Sequence, residues 1–135
     1  MATLGTLGVY EALAEVLAAD PDWATLGSGL DYSMVHVYTA PLDRAFYFRF
    51  EHGKLADLHE VDPAAAEADY VLTGPPAVWG RVFSKVPKAR ASGFHLALST
   101  NQIRFTGPFM QTYLRQTKPW EHLLDLASIH KIAAE

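Results

Sequence analysis

Asp57 and His59 lie two positions apart in Lys54-Leu55-Ala56-Asp57-Leu58-His59-Glu60, and they are the residues best suited to proton transfer in the chain. A carboxylate beside an imidazole is the pairing from which general bases are built, and it acts most strongly where water is excluded. The preceding stretch, Arg44 to Glu51, alternates as a strand, with Phe46, Phe48 and Phe50 on one face and Tyr47, Arg49 and Glu51 on the other. His52-Gly53 then turns the chain, glycine supplying a positive φ. If the loop holds two residues, Glu51 pairs with Lys54, and counting puts Phe50 opposite Leu55, Phe48 opposite Asp57 and Phe46 opposite His59. The acid and the imidazole then share the most apolar strand face, where a buried charge needs a partner and a polar ligand head or a proton-transfer step has a place. A bulge at Gly53 reverses this and turns both side chains to water. The residues leave both registers open.

Other catalytic chemistry finds little support. With no cysteine, disulfides, thiolate nucleophiles and cysteine-held metals are excluded. There is no Gly-x-Ser-x-Gly elbow, and Ser28 between Gly27 and Gly29 reads as loop. No glycine-rich phosphate loop occurs, and in Gly74-Pro75-Pro76 the prolines remove two of the N–H donors that an anion at the following helix would use. None of the six histidines forms the His-x-x-x-His pair of a zinc-binding helix; His122 and His130 are too far apart, His52 belongs to a turn, and His36 and His95 read as partly buried. No metal and no cofactor is therefore expected. An enzyme built on this chain would have to combine Asp57 and His59 with His36, His95 or a tyrosine such as Tyr113.

The elements that position these residues follow from periodicity. Thr6 to Ala19 sets Val9, Tyr10, Leu13, Val16 and Leu17 at helical spacing, with Glu11 and Glu15 opposite, and Asp20-Pro21 ends it. Asp22 to Leu26 adds a turn with Trp23 packed beneath. Asp31 to Thr39 alternates as a strand, with Tyr32, Met34, His36 and Tyr38 on one side. Asp69 to Thr73 is another, stopped by Gly74, after which Pro75 and Pro76 suit the first turn of a helix bearing Val78, Trp79, Val82, Phe83 and Val86 on one face. Lys88 to Asn101 fits a strand through Phe94, Leu96 and Leu98, and a helix through Ala91, Phe94, Leu98 and Asn101. Gln102 to Gly107 is a strand with Ile103 and Phe105 inward. A helix from Gly107-Pro108 carries Phe109, Met110, Tyr113 and Leu114, and a last one from Pro119 carries Trp120, Leu123, Leu124, Ala127 and Ile132. A meander of four strands and a late fifth, flanked by helices, predicts an α+β fold: five strands, mainly antiparallel, covered on one face by helices.

Length and composition set the outer bounds. The 135 residues suit a single domain, 1–135, able to bury about two thirds of its unfolded surface. A net charge of −4 argues against a nucleic-acid binder, and the one locally basic run, Arg81 to Arg90 with Lys85 and Lys88, reads as the solvated end of a helix, although a coenzyme A or lipid phosphate could use it. No run of about 18 apolar residues is present to span a membrane. The N-terminus has no signal-peptide pattern and the last residues no peroxisomal address, so the default expectation is cytoplasmic. A homodimer is compatible with these features, and none of them decides it.

Three stretches carry a resemblance. Ala68-Asp-Tyr-Val-Leu-Thr-Gly-Pro-Pro-Ala-Val-Trp79, preceded by Phe48-Arg-Phe-Glu-His-Gly-Lys-Leu55 and followed by Ile103-Arg-Phe-Thr-Gly107, resembles in order and content the sterol carrier protein 2 family of lipid-binding domains, over roughly Asp31 to Leu114. The resemblance implies a sheet with the last strand beside an earlier one, a helix at Lys88 to Asn101, and a hydrophobic tunnel between sheet and helices, closed in part by the C-terminal helix. Phe46, Phe48, Trp79, Phe83, Phe94, Phe105, Phe109, Met110, Tyr113, Trp120 and Leu124 are the candidate lining, each of which also suits plain core packing. Three functions are thus open: a carrier or accessory module that takes an acyl chain, sterol or similar hydrophobic small molecule out of water; a small cofactor-free isomerase, cyclase or hydrolase using the same pocket; and a subunit whose apolar helices dock on a partner. The first is the expectation taken forward.

Overall fold

In the computed structural model of the chain, residues 2–3, 5–83, 103–106, 117–129 and 133–134 are described. The elements in order are β1 (Ala2–Thr3), α1 (Leu7–Ala19), α2 (Pro21–Leu26), β2 (Ser33–Tyr38), β3 (Arg44–Glu51), β4 (Lys54–Val61), a 3₁₀ turn (Pro63–Ala65), β5 (Tyr70–Gly74), α3 (Pro76–Phe83), β6 (Arg104–Thr106), α4 (Thr117–Ile129) and β7 (Ala133–Ala134). Local chemistry sets most of these boundaries. Asp20 ends α1 and also starts α2, where its carboxylate accepts from the Trp23 N–H at 2.8 Å with Pro21 in the first turn. Asp62 does the same for the 3₁₀ turn by accepting from Ala64 N–H. Pro76 opens α3, and the Pro75 carbonyl accepts the N–H groups of Val78 and Trp79. The predicted helix or strand of Lys88 to Asn101 and the helix begun at Pro108 lie outside the described residues. The last helix starts at Thr117, so Pro119 sits inside its first turn and not at its first position.

The main sheet runs β4-β3-β2-β5-β6. Four strands of five to eight residues carry it, and the expected fifth, Gln102–Gly107, is represented at the edge by Arg104–Thr106, with Gln102 and Gly107 outside the described residues. The strand order also corrects the expected meander of four. Only β2, β3 and β4 are joined as a meander; β5 returns to the far side of β2 and pairs with it in parallel, Met34 to Tyr70 and Tyr38 to Gly74. Burial explains the choice. All six residues of β2 are buried, as suits a strand covered on both faces and paired along both edges, whereas β4, with no buried residue, is suited to an edge. The return is fixed where it begins: Ser33 N–H donates to the Asp69 carboxylate and Asp69 N–H to the Ser33 hydroxyl, each at 3.0 Å.

Alternation along β2 divides the interior in two. Met34, His36 and Tyr38 face α1, α2, α3 and α4, in a core that also takes Phe46, Phe48, Phe50, Tyr70 and Leu72 from the neighbouring strands. Val35, Val37 and Ala45 face the other way and are covered by Tyr47, Val61, Ala66, Ala68 and Val71. All described helical core residues thus lie on one face, as an α+β layer architecture requires.

The β3–β4 hairpin settles the register. His52 and Gly53 have φ of 50° and 81°, and Glu51 pairs with Lys54 and Phe50 with Leu55, as a two-residue loop demands. A bulge then follows between Arg49 and Phe50, which leaves Ala56 as the extra residue on β4, so that Arg49 pairs with Asp57, Phe48 with Leu58 and Tyr47 with His59. The counted pairing of Phe48 with Asp57 and Phe46 with His59 is therefore overturned, by a bulge at Ala56, three residues beyond Gly53. Leu55 and Leu58 take the inner face in their place. The fold thereby avoids setting a carboxylate and an imidazole against buried rings.

The tip of this hairpin is pinned to the end of α2. Gly53 N–H donates to the Leu30 carbonyl at 3.0 Å, and the Trp23 indole N–H donates to the Gly53 carbonyl at 2.7 Å. A Cβ on Gly53 would meet the Gly27 carbonyl well inside van der Waals distance, at a φ that only glycine adopts freely. Gly53→Ala should therefore cost about 2 kcal/mol or more in urea unfolding. Gly29→Ala, where a Cβ meets nothing within 4 Å, should stay within about 0.5 kcal/mol of the parent. Equal losses in the two variants would contradict the pinned tip.

Candidate functional site

The candidate site is the interior between the sheet and the helices, where three polar groups lie among aromatic rings. Strand alternation carries His36 inward between Met34 and Tyr38, and helical spacing points Tyr10 of α1 down onto it. The Tyr10 hydroxyl lies 2.9 Å from His36 Nδ1 and 2.8 Å from the Tyr38 hydroxyl, and all three side chains are buried. A single hydroxyl proton serves one of the two bonds, so the three groups form a chain that runs in one sense at a time. Around it, Trp79 stacks on His36 with centroids 4.4 Å apart and donates its indole N–H to the Val37 carbonyl at 3.0 Å. Phe48 meets the imidazole edge-on at 4.9 Å, and Phe46 and Phe83 lie 5.2 and 6.1 Å from the Tyr10 ring. Leu123, Leu124 and Ala127 of α4 belong to the same core.

Electrostatics make the cluster neutral. Burial pushes the His36 imidazole down to about 3. Burial also raises the Tyr10 phenol well above the ordinary tyrosine value, with the neighbouring Tyr38 phenol adding to the effect. Tyr38 is raised by burial too, against a smaller opposing contribution from its bond to Tyr10. At neutral pH the site offers hydrogen-bonding groups and polarisable rings without charge. Such groups accept and donate hydrogen bonds but are a poor source of protons or of a base near neutral pH.

Among the predicted lining residues, Phe46, Phe48, Trp79 and Phe83 are brought together here, and Leu124 is buried in the same core. Phe105 lies in β6, its backbone opposite Leu72, and Trp120 lies in the first turns of α4. Phe94, Phe109, Met110 and Tyr113 lie outside the described residues, as does His95. Asp57 and His59 are not part of the site. They pair with each other at 3.3 Å on the solvent side, 56% and 52% exposed, with the His59 ring 4.9 Å from Tyr47. The bulge has removed them from the interior, and with them the acid–base pair that the enzyme alternative required.

Tyr10 and Tyr38 escaped the sequence reading as site residues because each fits an apolar face. The signal was available in β2, where His36 shares its face with Met34 and Tyr38. A second group had no sequence signal at all. Asp20, Asp22 and His122 bring one ligand-type atom each within 4.8 Å of one another, with Asp20 Oδ2 2.9 Å from His122 Nε2. This is the one described group with a metal's choice of ligands, but Asp20 is already committed as the cap of α2, and the hydrogen bond ties α4 to that cap. The described surface also holds an open cleft of about 510 Å³ between α1, α2 and the hairpin tip, lined by Ala14, Leu17, Ala18, Trp23 and Leu55 among others.

No family model matches the chain, and no curated protein sequence matches it. Solved structures do. A crystal structure of sterol carrier protein 2 superposes with a TM-score of 0.72 at 17% identity, over 89% of this chain and 93% of that one. The fold is that of sterol carrier protein 2. A conserved hypothetical protein from Thermus thermophilus, named as a candidate sterol carrier protein, gives a TM-score of 0.77 at 16% identity, over 100% of this chain and 94% of that one. Sterol carrier protein 2 of Aedes aegypti, in complex with palmitate, gives 0.51 at 14% identity over 84% and 93%. At these identities the likeness is one of fold. No described helix is long and apolar enough to cross a membrane.

The buried imidazole makes stability pH-dependent in a defined direction. Unfolded, a histidine takes up a proton near 6.5; folded, His36 does so only near 3. Between those values the unfolded chain binds a proton that the folded chain refuses, so this contribution is complete above about pH 6.5 and is lost as pH falls, by about 1.4 kcal/mol per pH unit. His36→Gln should remove that slope. Urea unfolding from pH 8 to 4 should show the parent losing its margin over the variant below pH 6.5, and a constant margin would mean that the folded imidazole titrates as in water.

Proposed function

We propose that the protein binds a hydrophobic or amphipathic small molecule, of the fatty-acyl, sterol or similar lipid class, between its sheet and helices, as a carrier or accessory module. The observation that supports this best is the interior itself: Phe46, Phe48, Trp79 and Phe83 converge from sheet and helix on one polar chain, Tyr10–His36–Tyr38, that stays neutral. An apolar ligand gains about 25 cal/mol for each Å² removed from water, and a few fixed polar groups suffice to orient its head. The shared fold adds support, since one structure of that fold was solved with palmitate bound. The exposed position of Asp57 and His59 weighs against the cofactor-free enzyme, as does the Tyr10–His36–Tyr38 chain, whose groups stay neutral near neutral pH.

Native mass spectrometry of purified protein, followed by organic extraction, should find about one hydrophobic molecule per chain. Protein stripped of it should take up a fluorescent fatty acid. Phe83→Leu should keep the fold and weaken uptake, whereas Phe83→Ala should also lose about 3 kcal/mol of stability. A clean apo mass, together with no uptake of fatty-acid or sterol probes by folded protein, would remove the carrier reading.

A further inference from the structure

We propose that the cleft between α1, α2 and the hairpin tip is a second, outer binding site for a single-chain amphiphile with an anionic head, carboxylate or phosphate, whose charge is met by Lys54. The cleft holds about 510 Å³, in the range of small-molecule sites. Its lining is Ala14, Leu17, Ala18, Trp23, Ala24, His52, Gly53, Lys54 and Leu55, with no acidic residue, in a chain that carries 15 acidic against 11 basic side chains. Small alanines on α1 and α2 keep it open, Trp23 and Leu55 give it apolar walls, and the two basic side chains come together from the hairpin tip. His52 leans toward Asp31 at 3.6 Å, and among the described residues no ion pair engages Lys54. Lys54 is therefore the cation left to a ligand, with an apolar surface beside it: an arrangement complementary to one chain and one negative head.

The cleft is also preformed. Trp23 is held at its backbone by the Asp20 cap and at its indole by the Gly53 carbonyl, and Gly53 is in turn bonded to Leu30. A ligand entering here meets walls whose ordering has already been completed by folding, which favours affinity without new structure. The site goes beyond the interior reading. Of its walls, Leu17 and Trp23 belong to the buried core and the half-buried Leu55 packs against it, while neither Tyr10, His36 nor Trp79 lines the cleft.

The two sites carry separate spectroscopic reporters in the 135-residue chain. In ¹⁵N-labelled protein, the Trp23 indole N–H and the Gly53 and Lys54 amides report the cleft, and the Trp79 indole N–H, bonded to Val37, reports the interior. Monomeric dodecanoate should shift the cleft signals saturably, dodecan-1-ol should do so about tenfold more weakly, and Lys54→Glu should weaken dodecanoate by about tenfold. Ala18→Trp, at an exposed position, should fill the cleft and abolish the shifts there while the Trp79 signal keeps its position. Cleft signals that stay still while Trp79 responds would overturn the outer site and leave the carrier reading standing. Cleft signals that respond while Trp79 does not, in protein stripped of lipid, would support the outer site and count against the interior one. Equal affinity for dodecanoate and dodecan-1-ol, or shifts seen only with phosphatidylglycerol vesicles, would overturn the proposal, the latter by making the cleft part of a membrane-contacting surface.

Discussion

The whole structure depends on β2 being buried along both faces. A strand with no solvent side must carry apolar or satisfied residues at every position, and Ser33 to Tyr38 includes one imidazole that cannot reach water. Its Nδ1 must be met by a polar group from within the core. The position of Tyr10 on α1 answers that need, and Tyr38, two residues further along the same strand face, answers the hydroxyl of Tyr10. One polar residue in the central strand thereby fixes where the first helix lies over the sheet. The aromatic rings follow, because Trp79, Phe46, Phe48 and Phe83 pack on faces that this helix and strand have already placed.

The same constraint separates binding from catalysis. Low dielectric strengthens hydrogen bonds and suppresses charge together. An interior that keeps a histidine neutral suits a ligand whose head is polar and whose body is not. Asp57 and His59 sit outside, on a strand that burial consigns to the edge. A single looped-out residue, Ala56, keeps them there, and it does so because Leu58 belongs opposite Phe48.

Much of this was legible in the sequence, where one physical signal dominated. The helices Leu7–Ala19 and Pro76–Phe83 and the strands at Arg44–Glu51 and Tyr70–Gly74 follow from periodicity, prolines and a stopping glycine, and the Trp23 turn and the His52-Gly53 loop follow from cap and turn chemistry. Phe46, Phe48, Trp79, Phe83 and Leu124 were also readable as one interior, since their elements present apolar faces that need one another. What was not readable depended on pairing between distant segments. The parallel return of Tyr70–Gly74 to β2 is a consequence of burial on both sides of a strand, which local alternation does not reveal. The bulge at Ala56 depends on which register costs less buried charge, a comparison that exists only once β3 and β4 lie side by side. The cleft requires three segments at once: the end of α1, α2 and a hairpin tip some thirty residues later.

Asp20 gives the architecture a temporal order as well as a spatial one. It stops the first helix and starts the second, a local task that needs only a few neighbouring residues, and it also receives His122 from 102 positions away. The loop entropy for so distant a meeting grows only with the logarithm of its length, yet it has to be met before the contact returns anything. Local caps and hairpins form on the microsecond scale, whereas contacts of high sequence separation slow folding. The C-terminal helix is therefore suited to arrive late, on a surface already built, and to be the part of the barrier that chain topology sets.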